Sequence, residues 1–142
     1  DADFINFIES MVAHSNIQPK QLMFEVAEPI ANDRFEETYR LFKELNHLGF
    51  GTAIDQFGTG FNSFRLLKYL PLTQIKVNRF WVQNMLLDPT DAELVNSCIR
   101  LAQINKIEVT AVGVENDETR ALLTKAQVDY LQGFACGKPT CW

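Results

Sequence analysis

Apolar residues recur along this chain in two alternating rhythms, one helical and one extended. Phe4, Phe7, Ile8 and Met11 predict a helix over 4–13, and Pro19 marks the turn into a strand over 22–26. Asp33 and Glu36 have the spacing of a capping box. Behind them Phe35, Tyr39, Leu41, Phe42, Leu45 and Leu48 form an apolar face that runs up to Gly49, a C-terminal stop. A short strand over 51–54, a Gly-rich turn and a helix over 62–69 follow, and Pro71 forbids continuation of that helix. The pattern then predicts a strand over 74–77 and a loop containing Trp81 and Asp88-Pro89. Thr90 and Glu93, again at capping-box spacing, open a helix to about 105. A strand over 108–112, a helix over 117–126 and a short strand at 130–131 complete the series.

Five short strands separated by helices require parallel pairing, because parallel neighbours need long crossovers and right-handed βαβ units supply them. The fold class is therefore α/β. At 142 residues the chain is too short for a complete (β/α)₈ barrel, which takes about 250.

In a parallel sheet the ligand site lies at the carboxyl ends of the strands. That rule selects Glu25 and Glu28, Asp55 and Gln56, Lys76 and Asn78, Gly113 and Glu115, and Gln132 with Gly133. Glu25 sits in an apolar strand, so it faces either a pocket or an internal salt bridge. Glu28 reads equally well as a surface residue at the strand exit. Asp55 is either a ligand for a hard cation or a loop anchor, and the following Gly58-Thr59-Gly60 is weak evidence for a phosphate cradle. Lys76 either meets a phosphate or a metal-bound water, or forms an ion pair with Asp55 or Glu25.

Composition narrows the partners. With 46% apolar and 22% charged residues the chain resembles a globular domain, and 13 basic against 18 acidic residues give a net charge of -5. Such a charge is unsuited to holding a DNA or RNA duplex, although a local basic patch still suits a small anion. Cys98, Cys136 and Cys141 lack metal-ligand spacing, and Cys98 falls in a helical apolar pattern as a buried thiol. No apolar run approaches membrane-spanning length. The expectation is a cytoplasmic domain, and membrane tethering of a longer parent protein is compatible with it.

Four segments, FEVAE at 24–28, AIDQFGTGFNSFRLLKYLPLTQIKVN at 53–78, VTAVGVEN at 109–116 and DYLQGFACGKP at 129–139, resemble the EAL domain family in order and spacing. Those are bacterial (β/α)₈-like phosphodiesterases that use Mg²⁺ or Mn²⁺ to cut cyclic di-GMP to the linear dinucleotide. The resemblance implies that residues 1–142 are the C-terminal portion of a degenerate EAL domain, about the last five βα units of a partial TIM-like barrel. The Glu-Ala-Leu motif itself is absent and is expected upstream.

Carried over by resemblance, Glu25 and Asp55 match metal ligands. Lys76 and Gln132 match groups beside the catalytic water, and Lys76, Gln132, Gly133 and Phe134 are implied ligand contacts. Gly58, Thr59, Gly60 and Glu115 match the loop that follows the aspartate pair and the glutamate that steadies it. Three acidic family positions are substituted, by Gln56, Asn78 and Val112. The resemblance thus implies a cyclic di-GMP receptor or interaction module without a metal cofactor, part of a longer signalling protein and self-associating as a homodimer or larger assembly. The alternative is an active phosphodiesterase using Mg²⁺ or Mn²⁺.

Overall fold

The computed structural model describes residues 2–58 and 63–133. Helix α1 (Ala2–Ala13) and a 3₁₀ turn (Pro19–Gln21) lead into β1 (Met23–Ala27), followed by α2 (Glu28–Asp33) and α3 (Phe35–His47). Then come β2 (Gly51–Phe57), α4 (Ser63–Tyr69), β3 (Gln74–Val77), α5 (Arg79–Asn84) and α6 (Pro89–Ile104). Strand β4 (Glu108–Val112), α7 (Asp117–Lys125) and β5 (Tyr130–Gln132) close the series. The strands form one parallel sheet in the order β1-β2-β3-β4-β5, with helices as the crossovers. This is the architecture of a partial (β/α) barrel, as the alternating rhythm predicts.

Alternation of side chains gives the sheet two unlike faces. Ile54, Ile75, Val77, Val109 and Ala111 are buried against the helices, where Phe42, Leu45, Leu66, Val95, Ile99 and Leu123 complete the core. The register pairs Glu25 with Ala53, Lys76 with Thr110, and Val112 with Gln132, which gathers the polar positions on the other face. Helix α3 stops where the sequence predicts. Gly49 has φ +95°, its N–H donates to the Asn46 carbonyl at 3.0 Å, and the Phe50 N–H donates to the Leu45 carbonyl at 2.9 Å, the double bond of a Schellman stop.

The structure corrects several local expectations. Asp33 closes α2 and does not cap α3, whose cap position is held by Arg34 without a side-chain bond. Pro29 explains the extra helix, since a proline is tolerated in a first turn and fixes φ for it. Asp88, not Thr90, caps α6 by accepting from the Thr90 N–H at 2.8 Å. The stretch around Trp81, expected as loop, contains α5, because Asn78 accepts from the Phe80 N–H at 2.9 Å and Val82 is fully buried. In α1 the buried residues are Ile5 and Ile8, while Phe7 and Met11 stay exposed. The apolar stripe is wider than the face that packs.

Candidate ligand site at the carboxyl ends of the strands

Lys76 Nζ lies 2.6 Å from Glu25 Oε1, on β3 and β1 with β2 between them. The residue level with Glu25 on β2 is Ala53, which carries only a methyl group. Lys76 and Glu25 thus form an ion pair across the sheet.

Asp55 and Gln56 sit where β2 departs from regular pairing. The β2/β3 register shifts between Ile54 and Phe57, and Gln56 adopts φ +56°. An irregularity of this kind re-aims side chains at a strand end. Asp55 Oδ1 accepts from the Gln56 N–H at 2.8 Å. Asp55, Gln56, Lys76, Asn78, Val112 and Gln132 all line one cleft of 520 Å³, a size suited to a small-molecule ligand.

The amide of Asn78 is engaged as the α5 cap, and the residue is buried. Val112 brings no donor atom. Gln132 Oε1 is buried and has no hydrogen-bond partner among the described residues, so a donor from a ligand would be favourable there. Gly133 has φ +148°, and a Cβ at that position would fall 2.4 Å from both the nitrogen and the carbonyl oxygen of Val114, so the β5 exit has no room for a side chain.

The loop after β2 is held by a residue the sequence left ambiguous. Glu28 is completely buried, accepts from the Gly58 N–H, and takes the Ser63 hydroxyl at 2.5 Å. Glu115, expected to steady that loop, is exposed and accepts instead from Gln83 Nε2 at 3.0 Å. The physical reason is reach: Glu28 opens α2 and meets Gly58 and Ser63, whereas Glu115 follows β4 and meets Gln83 of α5. Spacing alone carries a hint, since Glu28 lies three residues after Glu25 at the same strand exit. Gly58 has φ +106°, and the Trp81 ring covers the place a Cβ would take. Thr59, Gly60 and Phe134 lie outside the described residues.

Burial pushes the Cys98 thiol up to about 12, with the charge of Glu28 adding to the effect. Cys98 is thus an inert core thiol, as its apolar setting in the sequence predicts. Tyr130 is also raised, through its hydrogen bond to Glu108 at 3.0 Å and the charge of that carboxylate.

A family model described as the EAL domain matches residues 1–139. The chain belongs to the EAL domain family. Over 138 residues it is 29% identical to the bifunctional diguanylate cyclase/cyclic di-GMP phosphodiesterase MucR of Pseudomonas aeruginosa, covering 97% of this chain and 20% of that protein. Over 132 residues it is 33% identical to the cyclic di-GMP phosphodiesterase PdeF of Escherichia coli, covering 93% of this chain and 18% of that one. The chain therefore spans about a fifth of the length of these curated relatives. Among solved structures, a manganese/cyclic di-GMP complex of Klebsiella pneumoniae BlrP1 superposes with a TM-score of 0.90 at 27% identity, over 98% of this chain and 36% of that one.

Manganese in that relative raises the question of fit here. A two-metal site needs several anionic ligands to fix two cations about 3.5 to 4 Å apart. In this EAL domain Glu25 is ion-paired with Lys76, Gln56 and Asn78 are amides, and Val112 has no donor. No group of three or more His, Cys, Asp or Glu residues is placed to hold a metal among the described residues. The described residues do not fit a two-metal centre.

Proposed function

We propose that this EAL domain serves bacterial second-messenger signalling as a cyclic di-GMP receptor whose hydrolytic capacity is lost. The reading rests on one observation, the charge of the cleft. Its lining carries two cations, Lys76 and Arg79, against one carboxylate, Asp55, and Lys76 is ion-paired with Glu25. A cleft carrying three further carboxylates would repel a phosphodiester unless divalent cations intervened. Gln56, Asn78 and Val112 remove that requirement together with the ligands for the cations. Binding then draws on Gln132, whose buried acceptor has no partner among the described residues, and on the cations Lys76 and Arg79 of the cleft.

The names of the relatives favour a second reading, an active phosphodiesterase with ligands supplied from outside the described residues. Glu25, Asp55, Lys76 and Gln132 are the residues it would use. One pair of measurements separates the two: calorimetry with cyclic di-GMP in EDTA, and chromatography for linear dinucleotide after incubation with Mg²⁺ or Mn²⁺. The receptor reading expects binding in EDTA and no cleavage above background. Rapid cleavage that is abolished by Lys76→Ala establishes the enzyme instead.

A further inference from the structure

We infer that Arg79 is the phosphate anchor of this cleft, a role that rests on the receptor reading above. Lys76, the cation at the cleft floor, already lies 2.6 Å from a carboxylate oxygen of Glu25. Arg79 is different. The ion pairs among the described residues are Arg34 with Glu37, Lys76 with Glu25 and Arg100 with Glu93, and Arg79 takes part in none of them.

Its placement is built into the fold. Arg79 follows the capping residue Asn78 and opens α5 at the mouth of the cleft. It lines both the 520 Å³ cleft and an adjoining hollow of 180 Å³, and Val112 and Gln132 share both walls with it. Gly113 has φ +83°, and a Cβ there would fall 2.9 Å from Arg79 Cγ, so the missing side chain at the β4 exit is the seat for the arginine stem. Gln83 closes the other side of that seat and is itself held by Glu115 at 3.0 Å. The stem is thus packed while the residue as a whole remains exposed to a ligand.

Chemistry completes the case. A guanidinium offers a planar fork of donors that matches two phosphate oxygens at once, and it stays charged at any pH a protein survives. Asp55 lines the larger hollow and Glu115, bonded to Gln83, the smaller, but neither forms an ion pair with Arg79, and Val112, which borders both, adds no carboxylate. The ligand class is a nucleotide phosphodiester, bound through direct charge-assisted hydrogen bonds.

The test is calorimetric titration of the full chain with cyclic di-GMP in EDTA, at low and at moderate salt. Arg79→Ala is expected to weaken binding by about tenfold to a hundredfold and to flatten its salt dependence, with thermal unfolding unchanged. Arg79→Lys is expected to recover part of the loss, because a point charge lacks the fork. If Arg79→Ala lowers the melting temperature, Arg79→Gln, which keeps the stem over Gly113, is judged by the same affinity criterion. Wild-type binding in EDTA with the variant within twofold of it overturns the role of Arg79 and leaves the receptor reading standing. Absence of wild-type binding in EDTA overturns the receptor reading, and the anchor with it.

Discussion

The Ser63 hydroxyl donates to Glu28 Oε1 at 2.5 Å across 35 positions of sequence, tying the start of α4 to the start of α2. The same carboxylate group accepts from the Gly58 N–H, so both ends of the segment between β2 and α4 are fastened to one buried side chain.

Removing that side chain takes the acceptor away from the Gly58 N–H, the Ser63 hydroxyl and, at 3.5 Å, the Asn32 amide. Glu28→Ala is expected to lower stability by about 3 kcal/mol, since hydrogen bonds to charged groups are worth about 1.5 to 3 kcal/mol each and part of the loss is recovered by water. Glu115→Ala, at an exposed residue, is expected to change it by less than about 0.5 kcal/mol. Urea denaturation of both variants checks the contrast, and equal losses would remove Glu28 as the loop anchor.

Asn78 offers a second contrast, because it lines the cleft and caps a helix at once. Asn78→Ala is expected to cost about 1 kcal/mol through loss of the bond from the Phe80 N–H. Asn78→Asp keeps that acceptor and is expected to be neutral to within about 0.5 kcal/mol. Added to Gln56→Asp and Val112→Glu, it is also expected to raise Mn²⁺ affinity, measured by calorimetry. No gain in the triple variant would show that the cleft geometry, and not only its charge, fails to suit a metal.

Cys98 has its thiol pushed up from 9.0 to about 12 in the folded protein. A raised folded value contributes stability that is complete below the unfolded value and is lost as pH rises toward the folded one. Between pH 9 and 12 the wild type should therefore lose stability more steeply than Cys98→Ala, by about 1.4 kcal/mol per pH unit. Urea midpoints at pH 8 and pH 10 measure the difference, and parallel slopes would count against the buried thiol. At neutral pH Cys98 should resist thiol reagents until the protein unfolds.

The order of the strands and of the longer helices is legible in the sequence because each of these elements carries its own period and its own stop, such as Gly49 and Pro71, whereas the six-residue helices α2 and α5 are too short to carry one. The end of the sheet that bears the cleft is legible too, from the polar residues that close successive strands. Three features are not. The β2 irregularity at Gln56 leaves no mark in residue type, since glutamine is not a residue that ordinarily announces positive φ. Glu28 looks like any acidic residue after a strand, and only folding brings Gly58 and Ser63 to it. The pairing of Lys76 with Glu25 reaches over β2 from β3 to β1, a contact that spans three strands and has no local signature.

Trp81 rests on Gly58, where a Cβ would come within 2.3 Å of a ring carbon. The sequence contains just two tryptophans. An intrinsic fluorophore thus lies on the residue by which the chain leaves β2, while its neighbour in sequence, Phe80, lines the cleft. With Trp142 replaced by phenylalanine, the emission maximum of Trp81 becomes a label-free optical gauge of that corner, read in real time while a ligand arrives.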